Sequence, residues 1–391
     1  MSSQLSQLAS RLDQIAPFHA MELAKMAADL ERQGRHIVHM GIGEPDFTAP
    51  QPVIDAAARA LHAGRLQYTP ATGLPQLREA IAAHYRLTYG VDVSPARIIV
   101  TAGASAALLL ACAALVEKGA EVLMPDPCYP CNRHFVAAFD GVAKLIVTGA
   151  EHRFQLSEAM VQQNWSAQTR GVLLASPSNP TGTSMATGEL RDILATVRAK
   201  RGFVLVDEIY HGLRYDGEPF SALSLGQDVV VINSFSKYFN MTGWRLGWLV
   251  VPPELAAPIE KLAQNLFICP SVIAQHAALA CFSPEAAGIY EARRREFKRR
   301  RDYLVPALKE LGFKVPVMPD GAFYIYADCS ALSDDADKLT IAMLNEAGVV
   351  MVPGRDFGAH RTQQHIRISY ATSMENLSIA VERLRAFLCR R

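Results

Sequence analysis

The 391-residue sequence has no excess of either charge, with 39 Lys and Arg residues against 38 Asp and Glu residues. A balanced chain has no global field to attract nucleic acid or an anionic membrane. One basic cluster, at residues 293–301, contains Phe297 and is typical of a solvated helix face. The chain also lacks a run of 18 apolar residues, which excludes a transmembrane helix, and residues 1–13 lack the pattern of a signal peptide. We therefore expect no nucleic-acid or membrane partner.

Cysteine is scarce as well. The seven cysteines are odd in number and scattered through apolar stretches, so most are expected to be reduced core thiols. Cys128 and Cys131 have the spacing of a redox or zinc motif, but no second pair of cysteines or histidines follows. We expect no metal site, and the composition predicts a reduced cytoplasmic protein.

The middle of the chain alternates short apolar runs with helical stretches, among them an apolar helix at residues 105–116. Continuous apolar runs are typical of strands that helices cover on both faces, so the pattern predicts an α/β fold with a mostly parallel sheet. A large domain of this kind is expected over residues 48–285. Its seven predicted strands are 98–101, 121–124, 144–147, 172–175, 203–206, 229–233 and 246–251.

The C-terminal part has a different pattern, with a long helix followed by shorter strands. In its last strand Ile366 and Ile368 alternate with Arg367, as in a half-exposed sheet. The predicted elements are a helix at 289–311 interrupted by Pro306, strands at 323–326, 349–352 and 365–369, and a closing helix at 374–388.

A lysine stands beside two hydroxyls just after one of the predicted strands. Ser234, Ser236 and Lys237 follow the strand at 229–233, and Arg245 comes eight positions after the lysine. An amine in such a loop can hold an aldehyde cofactor as a Schiff base, whereas the hydroxyls and the guanidinium can bind its phosphate. Loops at strand ends are also where open α/β sheets bind ligands.

Gly103, Ala104 and Ser105 lie between the strand at 98–101 and the helix that follows it. Small residues let the backbone approach a phosphate, and a helix N-terminus offers free N–H groups and the positive end of a dipole. By itself this pattern does not indicate a phosphate site, because every β–α turn favours small residues. Together with the two serines and Arg245 it predicts a phosphate-binding cup.

These motifs resemble those of the class I pyridoxal-phosphate (PLP) aminotransferases, in the fold-type I superfamily. The resemblance runs from the Gly-Glu-Pro-Asp-Phe segment at 43–47 to the Arg-Ile-Ser-Tyr-Ala segment at 367–371. It implies PLP as cofactor and a smaller α+β domain built from residues 1–47 and 286–391. It also implies that Lys237 is the Schiff-base lysine and then carries a proton between the substrate α-carbon and the cofactor. Such positioned proton transfer contributes about 10²–10⁴-fold in rate.

Asp207 ends the strand at 203–206 and opens the segment Asp-Glu-Ile-Tyr. An aspartate here also suits a helix N-cap. The resemblance implies that Asp207 is the partner of the cofactor's pyridine nitrogen. A carboxylate about 4 Å away stabilises the protonated ring by roughly 4 kcal/mol at an effective dielectric of 20, or about three pKa units.

The resemblance implies further roles for polar residues at strand ends. Tyr210 would donate to the cofactor's O3′ oxygen, and Asn179, in a proline-rich turn, would share that oxygen. Tyr129 would stack on the pyridine ring, although a core tyrosine would fit the same pattern. Arg367 would bind the substrate α-carboxylate with its forked guanidinium, with Gly43 and Asn179 assisting.

Tyr68 lies in a turn-rich segment, Gln-Tyr-Thr-Pro-Ala-Thr-Gly, that resembles a family pattern. In related enzymes this tyrosine reaches across a twofold interface to the phosphate of the partner's cofactor. Local packing of a loop tyrosine is the simpler alternative. The resemblance therefore implies a homodimer with shared active sites.

The implied activity is transfer of an amino group from an L-amino acid to a 2-oxo acid by a ping-pong mechanism. The same cofactor residues would support another reaction at the α- or β-carbon, such as β-elimination. PLP-binding transcription regulators are a further class, but the segment before Gly43 is expected to be too short for their DNA-binding module. Ser105 stands where bacterial aspartate aminotransferases have a lysine for the distal carboxylate. This favours neutral or aromatic donors, unless Arg133 substitutes.

Overall fold

The computed structural model describes residues 8–390. Residues 1–7, on which part of the predicted small domain and of the signal-peptide expectation falls, lie outside the described residues, as does residue 391. The α-helices are α1 (His19–Arg32), α2 (Gln51–Ala63), α3 (Pro75–Tyr89), α4 (Gly103–Leu115), α5 (Pro130–Ala137), α6 (Glu158–Asn164), α7 (Thr187–Ala199), α8 (Pro253–Leu266), α9 (Val272–Leu279), α10 (Pro284–Glu310), α11 (Ala336–Ala342) and α12 (Met374–Leu388).

The strands form one large sheet and two small ones. They are β1 (Val38–His39), β2 (Ile98–Thr101), β3 (Glu121–Asp126), β4 (Val142–Val147), β5 (Thr169–Ala175), β6 (Phe203–Asp207), β7 (Val230–Ser234), β8 (Gly247–Val250), β9 (Tyr324–Asp328), β10 (Val349–Val350), β11 (Val352–Pro353) and β12 (His365–Ser369).

The large sheet has seven strands in the order β2-β8-β7-β6-β5-β3-β4. Strand β8 is antiparallel to both neighbours, and the other pairings are parallel. Within β6, Val204 and Val206 face one core cluster whereas Leu205 faces another. Both faces of the sheet are therefore covered by apolar side chains. The predicted α/β class, the mostly parallel sheet and its seven strands are confirmed.

The C-terminal sheets differ from the prediction at residues 349–352. This run forms two strands, divided at Met351, that join different sheets. Strand β10 pairs parallel with β1, whereas β11 pairs antiparallel with β12. A short apolar run indicates burial but does not indicate its partner, so the division could not be read from the pattern.

The strand at 365–369 was expected to be half-exposed, and this expectation is wrong. All five residues are buried, and Arg367 is only 2% exposed. The reason is that β12 is the central strand of its sheet, between β11 and β9, and the rings of Tyr324 and Phe357 lie on the guanidinium. The alternation of isoleucine and arginine along β12 therefore distinguishes two buried faces of the strand, and not a buried face from an exposed one.

Two helices also differ from the expected bounds. Helix α10 begins at Pro284 and continues through Pro306, although an internal proline removes one hydrogen bond. The neighbouring Leu304, Val305 and Leu308 are buried in the core, and this packing offsets the missing bond. Helix α4 begins at Gly103 rather than near Ser105.

The carboxyl ends of the parallel strands position the candidate site. Strands β6 and β7 end at Asp207 and Ser234, and α4 begins just after β2 on the same edge. Strand β12, in a separate three-stranded sheet, brings Arg367 to the same cavity. No helix within residues 8–390 combines the length and the apolarity that crossing a membrane requires. The division of the chain at residues 48 and 286 stays a prediction.

Candidate active site

A cavity of about 430 Å³ lies at the carboxyl edge of the large sheet. It brings together every residue predicted for the site except Gly103 and Tyr68. The predicted residues that line it are Gly43, Ala104, Ser105, Tyr129, Asn179, Asp207, Tyr210, Ser234, Ser236, Lys237, Arg245 and Arg367.

Asp207 ends β6, Lys237 lies in the loop after the adjacent strand β7, and burial changes the proton affinity of both. The Lys237 ammonium donates to the main-chain oxygen of Gly43 (2.7 Å). Burial lowers the pKa of Lys237 to about 8, and burial raises the pKa of Asp207 to about 7. A lysine with a lowered pKa has a larger neutral, nucleophilic fraction near neutral pH. A cationic partner would stabilise the ionised form of the buried Asp207 carboxylate and would therefore lower the pKa of Asp207 again.

Hydroxyl, guanidinium and helix N–H groups meet beside Lys237. The Ser234 Oγ lies 2.9 Å from the Ser236 Oγ, and Arg245 lines the same cavity with its Nη1 donating to the Thr242 main-chain oxygen (3.0 Å). Ala104, in the first turn of α4, belongs to this wall as well. This donor set matches the three oxygens of a phosphate ester.

Two glycines permit this arrangement. A Cβ on Gly103 would lie 2.5 Å from an Arg245 Nη atom, and Gly103 also has a positive φ of 81°. A Cβ on Gly247 would lie 2.9 Å from the Ala104 main-chain nitrogen. Glycine is therefore required for Arg245 to approach the N-terminus of α4. Gly103 does not line the cavity itself, but it shapes the phosphate cup.

Arg367 is a buried cation whose guanidinium is fixed on several sides. Its Nη1 donates to the Asn179 Oδ1 (3.0 Å), and its Nη2 donates to the Gly41 main-chain oxygen (2.5 Å). Its Nε has no hydrogen-bond partner among residues 8–390. The rings of Tyr324 and Phe357 lie 4.6 and 4.7 Å from the guanidinium carbon. Within the described residues, Arg367 forms no ion pair with a carboxylate, so its charge is available to an anionic ligand.

Tyr324 was not among the residues predicted from the sequence. Its hydroxyl lies 2.8 Å from the Tyr210 hydroxyl, and both side chains are buried. Burial raises the pKa of both phenols, so both remain protonated hydrogen-bond donors. A Cβ on Gly43 would lie 2.4 Å from the Tyr324 hydroxyl, so this glycine allows the tyrosine into the site. The position of Tyr324 depends on the pairing of β9 with β12, which local patterns do not reveal.

No local sequence pattern indicates the apolar part of the wall. Helix α1 and the residue before it contribute four side chains, and five further apolar residues come from elsewhere in the chain. These residues are Phe18, Ala20, Met21, Ala24, Ile42, Leu108, Ala175, Pro177 and Ile209. Helical periodicity alone could indicate α1, but the surface against which it packs depends on distant segments.

The cavity is not lined by Tyr68, Arg133 or Cys128. Tyr68 is 83% exposed, and its role across a dimer interface stays a prediction. Arg133 donates to the Asp356 main-chain oxygen (2.9 Å) and does not line the cavity, so it does not replace the missing lysine in this conformation. Cys128 is a buried free thiol, and burial raises its pKa to about 12, which disfavours the reactive thiolate.

The model of the family "Aminotransferase class I and II" matches residues 35–384. The chain belongs to this family. The aminotransferase is 38% identical to a valine–pyruvate aminotransferase of Mycobacterium tuberculosis, over 96% of this chain and 97% of that protein. It is 36% identical to an aspartate/prephenate aminotransferase of Thermus thermophilus, over 98% and 99% of the two chains.

Solved structures give the same result for the fold. An aminotransferase from Mycobacterium tuberculosis superposes with a TM-score of 0.95 at 37% identity, covering 99% of this chain and 100% of that one. Aspartate aminotransferase from Thermus thermophilus with maleate gives a TM-score of 0.92 at 34% identity, covering 98% and 100%. The predicted fold class, the transfer of an amino group and the use of PLP are confirmed. Amino acids and 2-oxo acids are accordingly the substrates.

Proposed function

We propose that this aminotransferase moves an amino group from a neutral, apolar L-amino acid to a small 2-oxo acid by a ping-pong mechanism, as a cytoplasmic homodimer. The composition of the cavity wall carries the proposal. Phe18, Met21 and Leu108 offer apolar contacts. Among the described residues, the wall contains no lysine or arginine beyond Lys237, Arg245 and Arg367. A donor with an acidic side chain would have no cation of its own in this chain. The name of the valine–pyruvate relative supports the same donor and acceptor classes.

We assign the groups around the phosphate cup to the cofactor. The phosphate would be held by Ser234, Ser236, Arg245 and the N-terminus of α4, and Tyr129 would pack on the ring. When bound, PLP supplies an electron-withdrawing ring that stabilises negative charge at the substrate α-carbon. The assignment is supported by the match between these donors and a phosphate, and by the small residues that admit it.

We assign the remaining polar groups to proton transfer and to orientation. Lys237 would hold the cofactor covalently and, once released, would take the proton from the substrate α-carbon. Its lowered pKa of about 8 suits this exchange. Asp207 would keep the pyridine nitrogen protonated, because its buried carboxylate would gain a cationic partner. Tyr210 and Asn179 would donate to the O3′ oxygen, and Arg367, with Gly43, would orient the α-carboxylate.

Replacing Arg367 by lysine is expected to raise the KM for amino donors by about 10- to 100-fold, because a charge-assisted hydrogen bond contributes about 1.5–3 kcal/mol. An ammonium lacks the forked geometry that orients a carboxylate. The PLP content should not change, since no phosphate ligand is altered. Arg361→Lys, at an exposed arginine just before β12, is the matched control. An unchanged donor KM in Arg367→Lys would mean that the carboxylate is bound elsewhere.

A panel of amino donors tests the proposed substrate class. Valine, leucine, alanine, phenylalanine, aspartate and glutamate would each be assayed with pyruvate and with 2-oxoglutarate. We expect kcat/KM for the best apolar donor to exceed that for aspartate by at least about 10-fold. One or two additional apolar groups of a substrate in a hydrophobic pocket give a preference of about this size. A preference for aspartate would overturn the donor assignment and leave the aminotransferase activity intact.

Mixed dimers test the shared site. Tyr68 is a large exposed aromatic side chain, which fits a residue that contacts a second subunit. Inactive Lys237→Ala chains would be exchanged with weakened Tyr68→Phe chains. A mixed dimer then has one site with both native residues, so activity should rise above that of the Tyr68→Phe parent. Exchange of Tyr68→Phe chains with Lys237→Ala/Tyr68→Phe chains is the control, because no mixed site then has both native residues. Verified exchange without a gain would contradict a site shared through Tyr68.

A further inference from the structure

The first turn of α1 is held by a carboxylate from the opposite end of the sequence. The Asp356 Oδ1 accepts from the His19 N–H (3.1 Å), and its Oδ2 accepts from the Ala20 N–H (2.8 Å). The residue at the N-cap position, Phe18, makes no side-chain capping bond. Asp356 therefore satisfies two helix N–H groups that would otherwise lack a partner, and its charge faces the positive end of the helix dipole.

Asp356 also lies next to the site that we assign to the substrate carboxylate. The following residue, Phe357, has its ring 4.7 Å from the Arg367 guanidinium carbon. The short turn Gly354–Asp356 follows β11, in which Val352 pairs with Arg367. Two consecutive residues thus hold the N-terminus of α1 and the guanidinium of Arg367.

The two halves of α1 are attached in different ways. Leu23 and Ala27 pack in an apolar cluster with Leu344 and Val350. The first turn, by contrast, carries Met21, which is 65% exposed, the partly buried Ala20, which packs against a cluster that includes Phe357, and two N–H bonds to Asp356. Losing Asp356 would therefore loosen the first turn while the packed half of the helix remains in place.

We propose that Asp356 is a positioning residue for donor selection, which fixes the first turn of α1 so that Phe18 and Met21 contact the side chain of the amino donor. Both residues line the cavity that contains Lys237 and Arg367. The proposal rests on the proposed apolar donor class. Asp356 itself does not line the cavity, so it acts through α1 and does not touch the substrate.

The test compares donors of different size in the PLP-loaded Asp356→Ala enzyme. Loss of a helix cap shifts the equilibrium between the formed and the frayed first turn by about 10-fold. We therefore expect kcat/KM for leucine to fall by about that factor. For alanine, whose methyl group reaches less of the wall, the fall should be under about 3-fold. Asp356→Asn, which keeps one oxygen acceptor, should give an intermediate change in this ratio. Asp335→Ala removes a carboxylate that caps α11 through the Lys338 N–H and should leave the ratio unchanged.

Amide hydrogen exchange supplies a readout that does not depend on activity. In the PLP-loaded Asp356→Ala enzyme, exchange should accelerate at His19 and Ala20 and stay unchanged in the packed half of α1. An unchanged leucine-to-alanine ratio, or unchanged exchange at the first turn, in both Asp356 variants would overturn the role of Asp356 while leaving the donor class intact. A wild-type preference for aspartate over leucine would overturn the donor class and this proposal together.

Discussion

The Lys237→Ala enzyme is expected to lose at least about 10⁴-fold in turnover, because the variant loses both the covalent anchor and the positioned proton carrier. The fold should remain intact. The buried ammonium is disfavoured by desolvation, as its lowered pKa shows, and its hydrogen bond in this structure is to one main-chain oxygen of Gly43. Steady-state assays, circular dichroism and thermal unfolding measure these two expectations separately.

Borohydride reduction identifies the anchoring lysine directly. The wild-type enzyme should lose its yellow colour on reduction, and peptide mapping should find the cofactor on Lys237. Lys338→Ala is a suitable control, because the side chain of Lys338 is largely exposed and does not line the cavity. If reduction labels another lysine, Lys237 is not the anchor and the assigned active site is wrong.

Asp207→Asn is expected to retain PLP but to slow removal of the α-proton by about 10³-fold. This factor follows from the roughly 4 kcal/mol by which a carboxylate at about 4 Å stabilises a protonated ring. A neutral amide cannot supply that stabilisation. Cofactor content should persist, since Ser234, Ser236 and Arg245 are unchanged. The measurement is the rate of α-deuterium loss from labelled substrate in a single turnover.

Glu208 offers a matched control for Asp207. It is the next residue, it is fully buried, and burial raises its pKa to about 8, so glutamine resembles its protonated form at neutral pH. Its carboxyl contacts Ser221 and Ala222 and does not line the cavity. Glu208→Gln should therefore leave α-proton removal within a few-fold of wild type. A near-normal rate in Asp207→Asn would show that Asp207 does not activate the ring.

Much of the fold and of the polar site could be predicted because the relevant signals are local. The seven strands of the large sheet appear as short apolar runs, and Asp207 and Ser234 stand where two of them end. Parallel strands bring such ends to one edge, so the sequence predicts that these side chains meet. The family resemblance added the roles of Lys237 and Arg367.

The remaining features depend on contacts between distant segments. Tyr324 reaches Tyr210 across 114 positions, and the carboxylate of Asp356 reaches His19 across 337 positions. Neither pair leaves a periodic pattern in the sequence. The burial of Arg367 was missed for the same reason, because alternation along β12 distinguishes its two faces but not what covers each face. The role of Tyr68 requires a second chain and stays a prediction.

One half-reaction tests the central claim most directly. The purified PLP-loaded enzyme would be incubated with L-valine or L-serine, without any 2-oxo acid, and its products would be counted against active sites. We predict one 2-oxo acid per site from valine, no ammonia from either donor, and further product only after pyruvate is added. Continuing release of ammonia from serine would instead indicate elimination. Valine product that requires pyruvate from the start would contradict the ping-pong mechanism.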